Sequence, residues 1–126
     1  MSDHLRDLGE LERRVMQLVW THGPLTAEAV RSRLRRPLKE ATVRTVLRRL
    51  EEKGYVRHTV DGRTFIYQAV ESRRRVAARA VQRIVDWFCN GSVEEVLVGM
   101  AENEMLDQQQ VRMLADKIAK ARREKR

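Results

Sequence analysis

The 126-residue chain is one domain in size, with room for a small domain and an appended helical arm. With 42% apolar and 35% charged residues it is too apolar for full disorder and too charged for a membrane protein, and no apolar run nears the ~20 residues of a bilayer span. One cysteine, Cys89, and three scattered histidines, His4, His22 and His58, exclude an internal disulfide and leave no Cys/His metal set, so neither metal nor cofactor is expected; the net charge is +8.

Leu8, Leu11, Val15, Leu18 and Val19 recur at steps of three and four, which predicts an amphipathic helix over 9–22. Gly23-Pro24 ends it, since proline cannot continue a helix. Thr26 is a suitable N-cap for a second helix over 27–34, with Glu28 in the first turn where a carboxylate meets the positive helix end. Its apolar stripe is Ala27, Val30 and Leu34, and Arg35-Arg36-Pro37 closes it. A third helix is predicted over 39–53, with Val43, Val46, Leu47 and Leu50 on the buried face and Gly54 as its stop.

The period then changes. Residues 55–60 and 64–68 are rich in β-formers and partly alternate, and Asp61-Gly62 between them predicts a tight hairpin turn. Three helices and a hairpin in the first 70 residues read as a winged helix-turn-helix, residues 1–70.

The remainder reads as helical. Ser72 caps a long helix reaching Phe88, with Val76, Ala77, Ala80, Val81, Ile84, Val85 and Phe88 as its stripe. Asn90-Gly91 ends it. Ser92 with Glu95 forms a capping box before a short helix carrying Val96, Leu97 and Met100. Asp107 opens a last helix with Val111, Leu114, Ala115 and Ile118, followed by a basic tail, 122–126, expected to fray. About 50 residues with such broad stripes cannot easily close a core alone, so residues 71–126 read as a dimerisation region. Val81, Ile84, Val85, Phe88, Val96, Leu97, Leu114 and Ile118 are its candidate interface, with Trp87 beside Phe88 as a further anchor. The alternative is that these stripes pack back on the winged domain. The fold class is thus mainly α with a small β-wing: a winged helix-turn-helix followed by a helical dimerisation arm.

Charge is unevenly placed. Between Arg31 and Arg63 there are 11 Lys and Arg against 4 Asp and Glu. Clustered arginine favours phosphate, so a nucleic-acid partner is expected over a merely solvated face. No nucleophile with a base, no pair of catalytic carboxylates and no phosphate-binding glycine loop is visible, so an enzyme is not expected.

The stretch Ala41-Thr42-Val43-Arg44-Thr45-Val46-Leu47-Arg48-Arg49-Leu50, then Lys53-Gly54-Tyr55-Val56, resembles the penicillinase-repressor (BlaI/MecI) family, and so does Leu11-Glu12-Arg13-Arg14-Val15-Met16-Gln17-Leu18-Val19-Trp20. The resemblance covers about Leu8 to Ala119. It implies a bacterial, cytoplasmic, homodimeric repressor that binds an inverted-repeat operator in double-stranded DNA. It also implies an upstream membrane sensor-protease that cuts an Asn-Phe bond. Here Gly99-Met100 stands in place of that bond, so the cut motif is absent. The family's copper-responsive branch carries a C-terminal cysteine cluster, which Cys89 alone does not supply.

In such a fold the third helix enters the major groove with its N-terminal residues against base edges. Thr42 and Thr45 can bond phosphate or touch a thymine methyl; Arg44 can offer a bidentate fork to guanine. Arg48 and Arg49, further along, suit phosphate. Thr26 at a helix N-terminus and Arg63 at the wing tip complete the candidate DNA contacts. Lys39, Glu40 and Ala41 depart from the family's usual opening, and the operator can differ accordingly. Tyr67 and Trp20 read as core of the winged domain, and Cys89 as a small buried hydrophobe. Met16, Met100, Met105 and Met113 read as core or interface filler. Arg73-Arg74-Arg75 sits at a helix start, where positive charge is unfavourable without a phosphate or acid nearby. The competing reading is a winged-helix protein-interaction adaptor with non-specific DNA affinity.

Overall fold

The computed structural model describes residues 8–125. The N-terminal reading at Met1-Ser2-Asp3-His4 and the last residue of the expected tail, Arg126, lie outside the described residues.

Helix α1, Glu10–His22, starts where the Gly9 N–H donates to the Glu12 carboxylate at 3.0 Å. It buries Val15, Met16 and Val19, while Leu11 and Leu18 of the predicted stripe pack half-buried against the same core. After Gly23-Pro24 the chain makes a two-residue strand, β1, Leu25–Thr26, which sequence reasoning missed because two residues show no period. Thr26 then caps α2, Ala27–Arg33: its Oγ1 accepts from the Ala29 N–H at 3.1 Å. Helix α3, Glu40–Glu52, buries Val43, Val46, Leu47 and Leu50, the four positions its spacing predicts. Gly54, at a φ of 86°, turns the chain out of α3 toward the wing.

Strands β2, Val56–Asp61, and β3, Thr64–Ala69, pair antiparallel, and β1 pairs with the other edge of β3, giving the order β1-β3-β2. The register Asp61↔Thr64 leaves Gly62 and Arg63 as the two turn residues, so the turn falls one residue later than Asp61-Gly62 suggests. Of the two, only Gly62 has positive φ, 66°, the pattern of a type II′ turn with glycine first. Asp61 is the last strand residue instead.

The three helices and the sheet enclose one core around Met16, Leu47, Leu50 and Val56, with Tyr55 and Tyr67 closing its wing side. Burial of each such aliphatic side chain is worth about 1.5–3 kcal/mol against exposure. Helix α4, Arg73–Phe88, begins with the Ser72 Oγ accepting from the Arg75 N–H at 3.2 Å. Its first turns belong to the winged unit. Val76 packs on the core, Arg73 donates to Thr21 Oγ1 at 2.9 Å, and Arg79 forms two bonds to Glu71 at 2.6 and 3.0 Å. Trp20, packed on the same core as expected, donates Nε1–H to the Glu71 carbonyl at 3.0 Å. The compact winged unit therefore ends at Ala80, ten residues beyond the boundary at Val70 read from composition and period.

The second unit begins at Val81 within α4. Asn90, at a φ of 51°, and Gly91 turn the chain, and Ser92 caps α5, Val93–Glu102, accepting from the Glu95 N–H at 3.3 Å. Asp107 and Gln110 form a reciprocal capping box, 2.8 and 3.0 Å, that opens α6, Gln108–Glu124. Arg122 and Arg123 lie in the last turn of α6 rather than in a frayed tail; cations there meet the negative helix end. Among the described residues no helix is long and apolar enough to cross a membrane.

Candidate nucleic-acid interface

A cleft of about 500 Å³ lies between the start of α2, the exposed side of α3 and the wing. It gathers five of the seven candidate contacts: Thr26, Arg44, Thr45, Arg48 and Arg63. The helical period explains the grouping, since Arg44 and Arg48 are one turn apart on one line of α3. Thr42 and Arg49, seven residues apart, share another line roughly 150° round the helix from Arg44 at 100° per residue. Neither walls the cleft. Arg49 instead lies near Glu12, which also binds Lys53 Nζ at 2.9 Å. Burial works against the Glu12 charge, but the Gly9 N–H, Lys53 and Arg49 together hold its carboxyl below the ordinary value of 4.5.

The local bonds of the candidates differ. Thr26 is engaged as a cap, and Thr45 Oγ1 donates to the Ala41 carbonyl at 3.0 Å. Arg63 is exposed at the turn. Arg44 is 67% exposed and binds the Glu40 carboxylate at 2.8 Å.

Sequence reasoning missed the acidic side of the cleft, where Glu28, Glu40 and Glu51 stand among the arginines. Glu28 binds Arg31 at 3.2 Å, and this bond, with Glu40 at longer range, raises the Arg31 pKa further. The spacings Glu28–Arg31 and Glu40–Arg44, i,i+3 and i,i+4, are the helical signal for these two pairs. The third has no local signal, because Glu51 on α3 reaches His58 on β2, with His58 Nδ1 at 2.7 Å and the His58 backbone N–H donating at 3.2 Å. His58 stacks on Phe65 with ring centroids 4.1 Å apart and planes at 10°. Tyr67, beneath them, is buried as wing core, and burial together with Glu51 pushes its phenol above the ordinary 10.0. Helix α3 and the wing are thus joined by a carboxylate, an imidazole and two rings.

In the second unit, Val81, Ile84, Phe88, Leu97, Leu114 and Ile118 are exposed, Phe88 by 78%, and Val96 is half-buried. Val85 differs: it is fully buried within one chain and has no surface left to give a partner. Trp87, Met105 and Met113 are exposed too, whereas Met16 belongs to the core and Cys89 is only half-buried. Among the described residues no group of three His, Cys, Asp or Glu is arranged to hold a metal ion. The chemistry available in the cleft is that of guanidinium donors and threonine hydroxyls beside carboxylate acceptors.

Comparison with known proteins agrees with this picture. Residues 8–120 match the family described as Penicillinase repressor. The transcriptional regulator BlaI of Mycobacterium tuberculosis is 36% identical over 108 residues, spanning 82% of this chain and 78% of its own length. The penicillinase repressor of Bacillus licheniformis is 24% identical over 109 residues, 85% of each chain. Among solved structures, a transcriptional regulator from Thermotoga maritima superposes with a TM-score of 0.56 at 18% identity, over 94% of this chain and 78% of that one.

Proposed function

The chain belongs to the penicillinase repressor family of winged-helix transcriptional regulators, and from that premise we propose that it is a homodimeric, sequence-specific repressor acting in the cytoplasm on an inverted-repeat operator in double-stranded DNA. The observation that carries the reading is the cleft face itself, where one side of α3, the cap of α2 and the wing tip present Thr26, Arg44, Thr45, Arg48 and Arg63 together. In this reading α3 lies in the major groove, with Arg44 toward guanine and Arg48 and Arg63 toward phosphate. Thr42 and Arg49 meet the flanking backbone, where contacts position the protein without reading sequence. Two copies associate through the exposed apolar residues of α4, α5 and α6, and an inverted repeat matches the resulting two-fold axis. Cleavage at Asn-Phe is not included, because Gly99-Met100 occupies that place.

Fluorescence anisotropy on labelled promoter DNA and on scrambled DNA, across a salt series, tests this. A dimer touching ~10 phosphates gives a log–log salt slope near about −9. The expected result is tight, selective binding to the promoter, with Arg44→Ala losing selectivity by about tenfold or more. Equal, weak binding to both DNAs overturns the repressor reading and leaves the protein-interaction adaptor.

A further inference from the structure

The first turn of α3 carries a carboxylate on the side that the reading above turns toward a polyanion. Glu40 is the first residue of the helix, 44% exposed, and its Oε1 accepts from Arg44 Nη2 at 2.8 Å. Both side chains line the cleft with Arg48 and Arg63. The field of Glu40 also reaches α2, where Arg31, held charged first by Glu28, feels it as well. Next to phosphate such a charge is repulsive, and it occupies one edge of the guanidinium best placed to bond DNA. A neutral amide at this first helical position would cost the helix little, since a carboxylate at an exposed N-terminus is worth only a modest dipole interaction. Its effect therefore falls on the DNA partner.

The major-groove edge of a G·C pair presents two acceptors on guanine, N7 and O6, beside one donor, the cytosine N4 amino group. Glu40 and Arg44 present the complement: a carboxylate acceptor and a guanidinium fork, bonded to each other on one helical line. We propose that Glu40 is a specificity-determining residue that reads, with Arg44, one G·C pair in each half-site. Arg44 gives its fork to guanine, and Glu40 accepts from the cytosine amino group. On DNA without that match, Glu40 repels the backbone and withholds Arg44 from phosphate. This rests on the DNA-binding reading above, and it makes Glu40 a brake on off-target binding.

The test uses the full chain, as wild type, Glu40→Gln and Glu40→Asp. Each is titrated against the promoter operator, a scrambled duplex, and operators in which each G·C pair is changed symmetrically to A·T. Wild type is expected to lose about tenfold at one G·C position. Glu40→Gln is expected to bind scrambled DNA several-fold more tightly and to lose part of the penalty at that position, the share carried by cytosine, while Arg44 keeps the guanine share and Glu40→Asp restores some of what is lost. Thermal melts of both variants, matching wild type, assign the change to recognition rather than folding. If wild type separates operator from scrambled DNA but Glu40→Gln keeps the same base-by-base profile, or tightens on every duplex equally, this proposal fails and the repressor reading stands. If wild type does not separate them, both fall.

Discussion

At the scale of single residues, Glu12 shows how one carboxylate ties distant parts of the chain. It caps α1 through the Gly9 N–H and binds Lys53, 41 residues away, at the end of α3. Its side chain is 13% exposed, so the bond is poorly screened by water. A carboxyl held below its ordinary pKa stabilises the fold above the unfolded value, and the contribution is lost as the pH falls through the folded one. Wild type is therefore expected to lose stability below its ordinary 4.5 more steeply than Glu12→Gln, in urea melts run at pH 7 and pH 3. At pH 7 the substitution should cost about 1–2 kcal/mol, the range for a charge-assisted bond that is partly shielded. The arginines of α3 sort by the same geometry. Arg48→Ala should reduce the salt slope on promoter DNA by about one, and Arg49→Ala, beside Glu12 and outside the cleft, should reduce it less. Such placements were partly legible: the period of 3.6 separates Arg48 from Arg49, but which side faces Glu12 depends on α1 packing across α3.

At the scale of elements, the helices were readable because each buries a stripe at the helical period, as Val43, Val46, Leu47 and Leu50 do on α3. Caps at Thr26, Ser92 and Asp107 were readable for the same local reason. The strand β1 was not, since its existence is decided by the edge of β3 rather than by its own two residues. The wing turn was misplaced by one residue because a dipeptide signal does not fix register; the pairing of Asp61 with Thr64 does. Placing Gly62 first in the turn has a cost attached to any side chain there. Gly62→Ala, at a φ of 66°, should destabilise the protein by about 1–2 kcal/mol. Open space around that position means the loss is conformational, not steric contact with a neighbour. A calorimetric melt of the variant checks it, and a Tm equal to that of wild type would show a turn that adapts without strain.

For the whole molecule, the stripes place the division between winged and helical regions at Val70, whereas the compact units of the structure divide after Ala80. The reason is tertiary: Val76, Arg73 and Arg79 fasten the first turns of α4 to the winged unit through the core, Thr21 and Glu71. The period likewise could not tell Val85, closed within one chain, from Phe88, left open on it. The dimer proposal makes a direct prediction from this difference. Phe88→Glu and Ile118→Glu should convert a concentration-dependent dimer to a monomer in sedimentation equilibrium, and should remove the rise of Tm with protein concentration. Operator affinity should fall with them, since one winged unit alone keeps only half of the phosphate contacts. Persistence of the dimer in both variants would place the interface elsewhere.

The positions of the two tryptophans add an optical consequence. Trp20 is fixed in the winged unit by the Glu71 carbonyl, with the Arg73 guanidinium 5.9 Å from its ring centre. Trp87, in the other unit, is 55% exposed on the helix that carries Phe88. Each unit thus holds its own chromophore, one half-buried and fastened to the backbone, the other exposed. With Trp20→Phe, intrinsic emission comes from Trp87 alone and, on the dimer proposal, should shift to the blue as dilute protein is concentrated and the interface takes the indole out of water. With Trp87→Phe, the remaining emission should ignore concentration and change only when the winged unit unfolds. A label-free readout of assembly and of folding is therefore already written into the chain, one for each unit.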